Sequence, residues 1–109
     1  MATLLQRRDL TRAQRRRELY DETRRRLRAH LADLVPGQRI FVFGSLTKPG
    51  VFNDASDVDL AVETEPSAIS LGRLMSELTE RLGRPVDVIL LPRCRFRERI
   101  VREGETWTC

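Results

Sequence analysis

Apolar residues recur along this chain with two different periods. Between Thr11 and Leu34 the spacing is helical: Tyr20, Leu27, Leu31 and Leu34 share one stripe, and Thr23 lies on it. A helix is therefore predicted over about 11–34, opened by the capping-box spacing of Thr11 and Gln14 and stopped by Pro36-Gly37. Leu10 and Ala13 extend the stripe upstream, but Arg16 and Arg17 interrupt it, so the first half of this helix has little to bury and can project. Residues 67–83 hold Leu71, Leu74, Met75, Leu78 and Leu82 on a second helical stripe, with Gly83 placed as a C-terminal cap. A short final helix is predicted over 95–103, stopped by Gly104.

Three short runs instead read as strands: RIFVFG at 39–44, DVDLAVE at 57–63 and VDVILL at 86–91. Residues 46–54, broken by Pro49-Gly50, form a loop with room for a short helical turn after Ser45. Helices alternating with strands predict an α/β (or α+β) sheet covered by helices. The expected organisation is one domain over 1–109, with an Arg-rich helix at about 11–34 and a core over about 38–109. Strand order is not contained in this pattern.

Composition narrows the setting. A chain of 109 residues is long enough to bury a core without staples. Cys94 and Cys109 lie far apart, with no CxxC and no Cys/His cluster, so neither a disulfide framework nor a zinc site is indicated. Unpaired thiols suit a reducing cytoplasm. No apolar run approaches the roughly 20 residues of a membrane span, and the N-terminus lacks signal-peptide features. The net charge of +4 is uneven: residues 1–34 hold ten Arg against five acids, and the remainder ten basic against eleven acidic residues. The Arg-rich helix suits a solvated face, a protein partner or RNA contact. Its triplets Arg15–Arg17 and Arg24–Arg26 spread around the helix, and Asp9, Glu18, Asp21 and Glu22 dilute the field.

The candidate chemistry lies in the middle. In the second strand a period of two puts Asp57, Asp59 and Ala61 on one face and Val58, Leu60 and Val62 on the other. Two ionised carboxylates about 7 Å apart repel, and a divalent cation between them removes that cost. Oxygen-only ligation with few protein ligands suits Mg²⁺, which completes its shell with water and substrate phosphates. Asp87, from the third strand, offers a third carboxylate for a second metal and for orienting an attacking oxygen. Gly44 and Ser45, at the end of the first strand, let a phosphate approach backbone N–H groups and add a hydroxyl donor. Lys48, in the loop, is free to meet phosphate or solvent. Each element also has a plain reading: Gly-Ser as a turn, Asp-x-Asp as a solvated strand end, Asp87 as a partner for Arg84. Their order, each beside a strand, favours a nucleoside triphosphate site with Mg²⁺.

The segment GSLTKPGVFNDASDVDL, residues 44–60, resembles the Gly-Ser…Asp-x-Asp signature of the DNA polymerase beta-like nucleotidyltransferase superfamily. Within it the chain is most similar to the minimal nucleotidyltransferases (MNT), small proteins paired with HEPN toxins. The signature aligns at Gly44, Ser45, Asp57 and Asp59, and the later acid, in RPVDVILL, at Asp87. The tail RFRERIVREGETWT also resembles the ending of these proteins. The resemblance implies a small mixed sheet of about three strands flanked by helices, Mg²⁺-ATP as substrate and transfer of a nucleoside monophosphate. It gives Asp57 and Asp59 the metal-ligand role, Asp87 that of third carboxylate, and Gly44 and Ser45 the triphosphate contact. It further implies an antitoxin that transfers AMP to a hydroxyl, taken to be a Tyr, of a HEPN toxin. A chain this short leaves little room for an acceptor-binding domain, which favours an acceptor brought by a partner protein. The rival readings are transfer to an RNA end or a small-molecule hydroxyl, and a catalytically idle protein that neutralises a toxin by contact. His30 is read as a helix-surface or core residue rather than a base, and Trp107 as packed on the core.

Overall fold

The computed structural model describes residues 3–109. Helix α1 (Leu4–Leu34) leads into strand β1 (Arg39–Phe43), a 3-10 turn (Gly44–Thr47) and strand β2 (Val58–Val62). Helix α2 (Leu71–Leu82), strand β3 (Val86–Leu90), a second 3-10 turn (Leu91–Arg93), helix α3 (Arg97–Glu103) and strand β4 (Glu105–Thr108) complete it. The sheet order is β3-β2-β1-β4. β1 is antiparallel to β2 and to β4, whereas β2 and β3 are parallel, so the sheet is mixed.

Helix α1 begins at Leu4, not Thr11. Its capping box is formed by Thr3 and Gln6: the Gln6 N–H donates to Thr3 Oγ1 at 3.1 Å, and the Thr3 N–H donates to Gln6 Oε1 at 2.8 Å. Thr11 lies inside the helix, where its hydroxyl donates back to the Arg7 carbonyl at 2.8 Å. The capping-box pattern thus occurs twice, and the upstream copy starts the helix. Residues 3–18 are exposed throughout, and burial begins at Tyr20, so the first half of α1 does project. The molecule extends 56 × 28 × 20 Å.

Strand β4 is a fourth strand beyond the three predicted. Glu105-Thr106-Trp107-Thr108 has one large apolar residue, Trp107, which is buried in the core as expected. Pairing of Ile40 with Trp107 docks it on β1. Gly104 makes the junction possible, because a Cβ there would lie 2.5 Å from the Ile100 carbonyl oxygen and 2.9 Å from that of Val42.

The main core lies on one face of the sheet. There Val58, Leu60 and Val62 of β2 meet Tyr20, Leu27 and Leu31 of α1 and Leu74, Leu78 and Leu82 of α2. Fully burying one leucine contributes roughly 1.5–3 kcal/mol. The opposite face has a smaller cluster, in which Ile100 of α3 covers Phe41 and Ala61 beside Leu91. Cys94 and Cys109 are free thiols. Among the described residues, no helix is long and apolar enough to cross a membrane.

Candidate active site

Three carboxylates lie near one another on the less covered face. Asp57 immediately precedes β2 and is exposed; Asp59, within β2, is half-buried. The parallel register sets Asp59 directly beside Asp87 of β3. Neighbouring strands are about 4.8 Å apart, and residues in register project to the same side, so this register brings the acids of two sequence-distant strands together. On the other side of Asp59 the register partner is Phe43, the last residue of β1.

Gly44 follows at once and is fitted to Asp59. Its φ of +73° lies in the left-handed region. A Cβ at this position would stand 2.6 Å from Asp59 Oδ2, so no other residue fits without displacing the carboxylate. The turn that Gly44 opens is tied down through its carbonyls. The Thr47 hydroxyl donates to Gly44 O at 2.7 Å, the Lys48 N–H to Ser45 O at 3.0 Å, and Arg24 Nη1 to Leu46 O at 2.8 Å. Arg24 also grips Glu105 with two hydrogen bonds of 2.6 and 2.7 Å, so one guanidinium links α1, the turn and β4. That pairing, led by its hydrogen bonds, holds the Glu105 carboxyl below its ordinary range. The Ser45 hydroxyl lies 3.5 Å from the Asp57 carbonyl, at the outer limit of a hydrogen bond.

The loop between the turn and β2 is anchored from beneath. Phe52 is fully buried, and the Arg84 guanidinium stacks 4.6 Å above its ring centroid. Arg84 Nη1 donates to the carbonyls of Asn53 and Ser56 at 3.0 and 2.8 Å. Arg84 therefore supports the loop that delivers Asp57, and the plain reading in which it neutralises Asp87 does not hold. Phe52, Arg84 and Arg24 were not singled out as site-supporting residues from sequence. Phe52 is a lone aromatic in a polar loop, which was the available signal; the reach of the two arginines was not legible.

The electrostatics follow from this placement. The Asp59 carboxyl is raised above its ordinary range, first by burial, then by the charge of Asp87, then by that of Asp57. Among the described residues none of the three carboxylates enters an ion pair. A cluster of acids without a protein cation, behind a glycine whose missing side chain leaves the carboxylate room, fits a divalent cation. Among the described residues no group of three or more Asp, Glu, His or Cys side chains is drawn tightly enough to enclose a metal by itself. A Mg²⁺ bound here would take much of its shell from water and phosphate.

Lys48 is exposed, at the rim of a cleft of about 280 Å³ floored by Phe43, Ile89, Cys94 and Ile100. Phe43 and Ile89 place this cleft next to the carboxylates. His30 lies elsewhere, 3.4 Å from Arg81 between α1 and α2.

The profile of the family described as polymerase beta, nucleotidyltransferase matches residues 31–109. The chain belongs to this family, and its mixed sheet flanked by helices is the corresponding fold. Among solved structures it is similar to one titled "Crystal structure of the toxin-antitoxin with AMP-PNP". The identity is 28% and the TM-score 0.55, over 72% of this chain and 68% of that one. Family and structural likeness together support a nucleotidyltransferase of the minimal, MNT type. No curated protein matches the chain.

Proposed function

We propose that the protein is an antitoxin that transfers AMP from Mg²⁺-ATP to a hydroxyl, taken to be a Tyr, of a partner toxin of the HEPN type. The observation that supports it most is the register of Asp59 with Asp87, two residues from Asp57 and against Gly44. The similar structure is a toxin–antitoxin with an ATP analogue, which supports both the nucleotide and the kind of partner.

In this reading Asp57 and Asp59 would be the principal holders of Mg²⁺, with Asp87 as a third ligand, dispensable for nucleotide binding; when bound, the ion would neutralise phosphate charge and stabilise the negative charge that develops in transfer. Gly44 leaves the backbone open to the triphosphate, and Ser45 adds a hydroxyl donor. Lys48, at the rim, supplies a mobile positive charge. Asp87, the more exposed of the register pair, faces the incoming hydroxyl and accepts its proton. The hydroxyl oxygen forms a bond to the α-phosphorus as the bond to the bridging oxygen breaks, and pyrophosphate leaves with the electron pair. Arg24 and Arg84 position the turn and the loop; most of the rate gain then comes from preorganised charge.

The test mixes the protein with Mg²⁺, α-labelled ATP and the product of the neighbouring gene, followed by intact-mass measurement. Added AMP units on the partner, absent with Asp59→Asn, are the expected result. Label on RNA or on a small molecule alone would overturn the acceptor. A tight complex without label would make the protein an idle binder.

A further inference from the structure

The projecting half of α1 has no role in the catalytic fold. Residues 3–18 are exposed throughout, and they precede the segment matched by the family profile. They carry six Arg against two acids, a net +4 that equals the charge of the whole chain, so residues 19–109 hold fourteen charges of each sign. Among the described residues Arg7, Arg8, Arg12, Arg15 and Arg16 enter no ion pair. Arg8, Arg12, Arg15 and Arg16 follow i, i+4, i+7 and i+8 and so share one helix face, although the Arg triplets as wholes spread around the helix. Leu4 and Leu5 stand on the same side, 75% and 71% exposed, whereas Leu10, 66% exposed, lies on the far side of the helix. An isolated helix of this length is marginal in water, and most helical stability in proteins comes from packing one face.

These features select an occupant. Single-stranded RNA is held by cations interleaved with aromatic stacking platforms, and residues 3–18 contain no aromatic residue and three exposed leucines that nucleic acid does not use. A second copy brings the same positive stripe and a body that is neutral overall, which gives repulsion without a complement. An acidic protein face with an apolar floor satisfies both the guanidinium stripe and the two leucines on its side. The position also matters. Arg12, Arg15 and Arg16, with Glu18 and Glu22 at its inner end, border an open groove whose other wall is the loop residues 53–55, Asp54 among them, ending two positions from Asp57.

We infer that residues 4–18 of α1 form a docking surface for an acidic, apolar-floored face of the partner toxin, which seats the partner beside the loop leading to Asp57. The identity of the partner rests on the function proposed above; the surface does not depend on the transfer chemistry.

The experiment measures binding of the full chain to the neighbouring gene's product by calorimetry without ATP, and Mg²⁺-ATP binding to the chain alone in a separate cell. Arg8→Glu, Arg12→Glu, Arg15→Glu and Arg16→Glu combined should weaken partner binding at least about 100-fold, with a steep dependence on salt. Leu4→Ser and Leu5→Ser combined should weaken it at least about 10-fold. Both variants should keep the melting temperature and Mg²⁺-ATP binding of the parent, because these side chains touch no core. Unchanged partner binding in the variants, or no binding by the parent, overturns the docking surface while leaving the nucleotide site standing. Arginine-dependent binding of a single-stranded RNA 20-mer, or a helix-dependent dimer, would equally overturn it. Loss of Mg²⁺-ATP binding by the parent chain would count against the transferase reading alone.

Discussion

On β2, Val58, Leu60 and Val62 are fully buried under α1 and α2, while Asp59 on the alternate face stands half-buried beside Asp87. One strand thus serves two environments one residue apart. The apolar face draws its neighbours together, and α3 covers only the Phe41–Ala61 part of the other face. Because cohesion comes from the first face, the second can hold carboxylates that repel one another. A site that needs unneutralised acids is affordable where the sheet does not depend on them.

That division can be broken from either side. Asp57→Asn and Asp59→Asn should each lower transfer at least about 1,000-fold, equivalent to roughly 4 kcal/mol of barrier, while stability without Mg²⁺-ATP holds or rises; single-turnover labelling and thermal melts check both. Leu60→Ala, one position away and facing the opposite side, should instead destabilise the fold by about 2–5 kcal/mol, read from urea denaturation, with activity per folded molecule little changed. Gly44→Ala joins the two faces. It forces a left-handed backbone on a residue with a Cβ and pushes that Cβ against Asp59, so a loss of about 1–2 kcal/mol should accompany a loss of nucleotide binding.

Arg24→Ala sharpens the comparison by loosening the turn without touching a carboxylate of the site. Losing its hydrogen bonds to Glu105 and the Leu46 carbonyl should cost about 1–2 kcal/mol and lower transfer more than Leu60→Ala does per folded molecule. The smallest effects concern pH. Asp59 has a folded-state value above its ordinary 3.8, so between those two values the native state holds more protons than the unfolded chain, and stability falls as pH rises through that window. Asp59→Asn should remove this decline. Glu105 has the opposite sign: its lowered value gives stability present above its ordinary 4.5 and lost as pH falls through the lowered value. Glu105→Gln should flatten that acid limb. Melting temperatures of the variants across acidic pH distinguish the two.

Much of this division was legible along the chain. The period of two in DVDLAV separated the acids from Val58, Leu60 and Val62, and the leucine stripe of α2 fell where the core lies. The turn at Gly44-Ser45 was anticipated, but its fit to Asp59 was not, because the lack of room for a Cβ at Gly44 follows from two strands in register. Asp87 could be named from its strand, yet its place beside Asp59 required a parallel β2–β3 pairing that periodicity does not encode. Strand β4 escaped because four residues with one inward side chain carry almost no pattern. The start of α1 was set too late because Thr11-Gln14 and Thr3-Gln6 have the same spacing, and local spacing alone could not choose between them. Arg24 and Arg84 act through long side chains on distant carbonyls, which sequence position does not reveal.

The central claim is that Asp57, Asp59 and Asp87 form one Mg²⁺-nucleotide site with distinct roles. Calorimetric titration of a non-hydrolysable ATP analogue, with and without Mg²⁺, tests it most directly when run on the parent, Asp59→Asn and Asp87→Asn. The account predicts Mg²⁺-dependent binding by the parent, its loss in Asp59→Asn, and near-normal binding in Asp87→Asn despite poor transfer. Equal Mg²⁺-dependent binding by the parent and Asp59→Asn would contradict it.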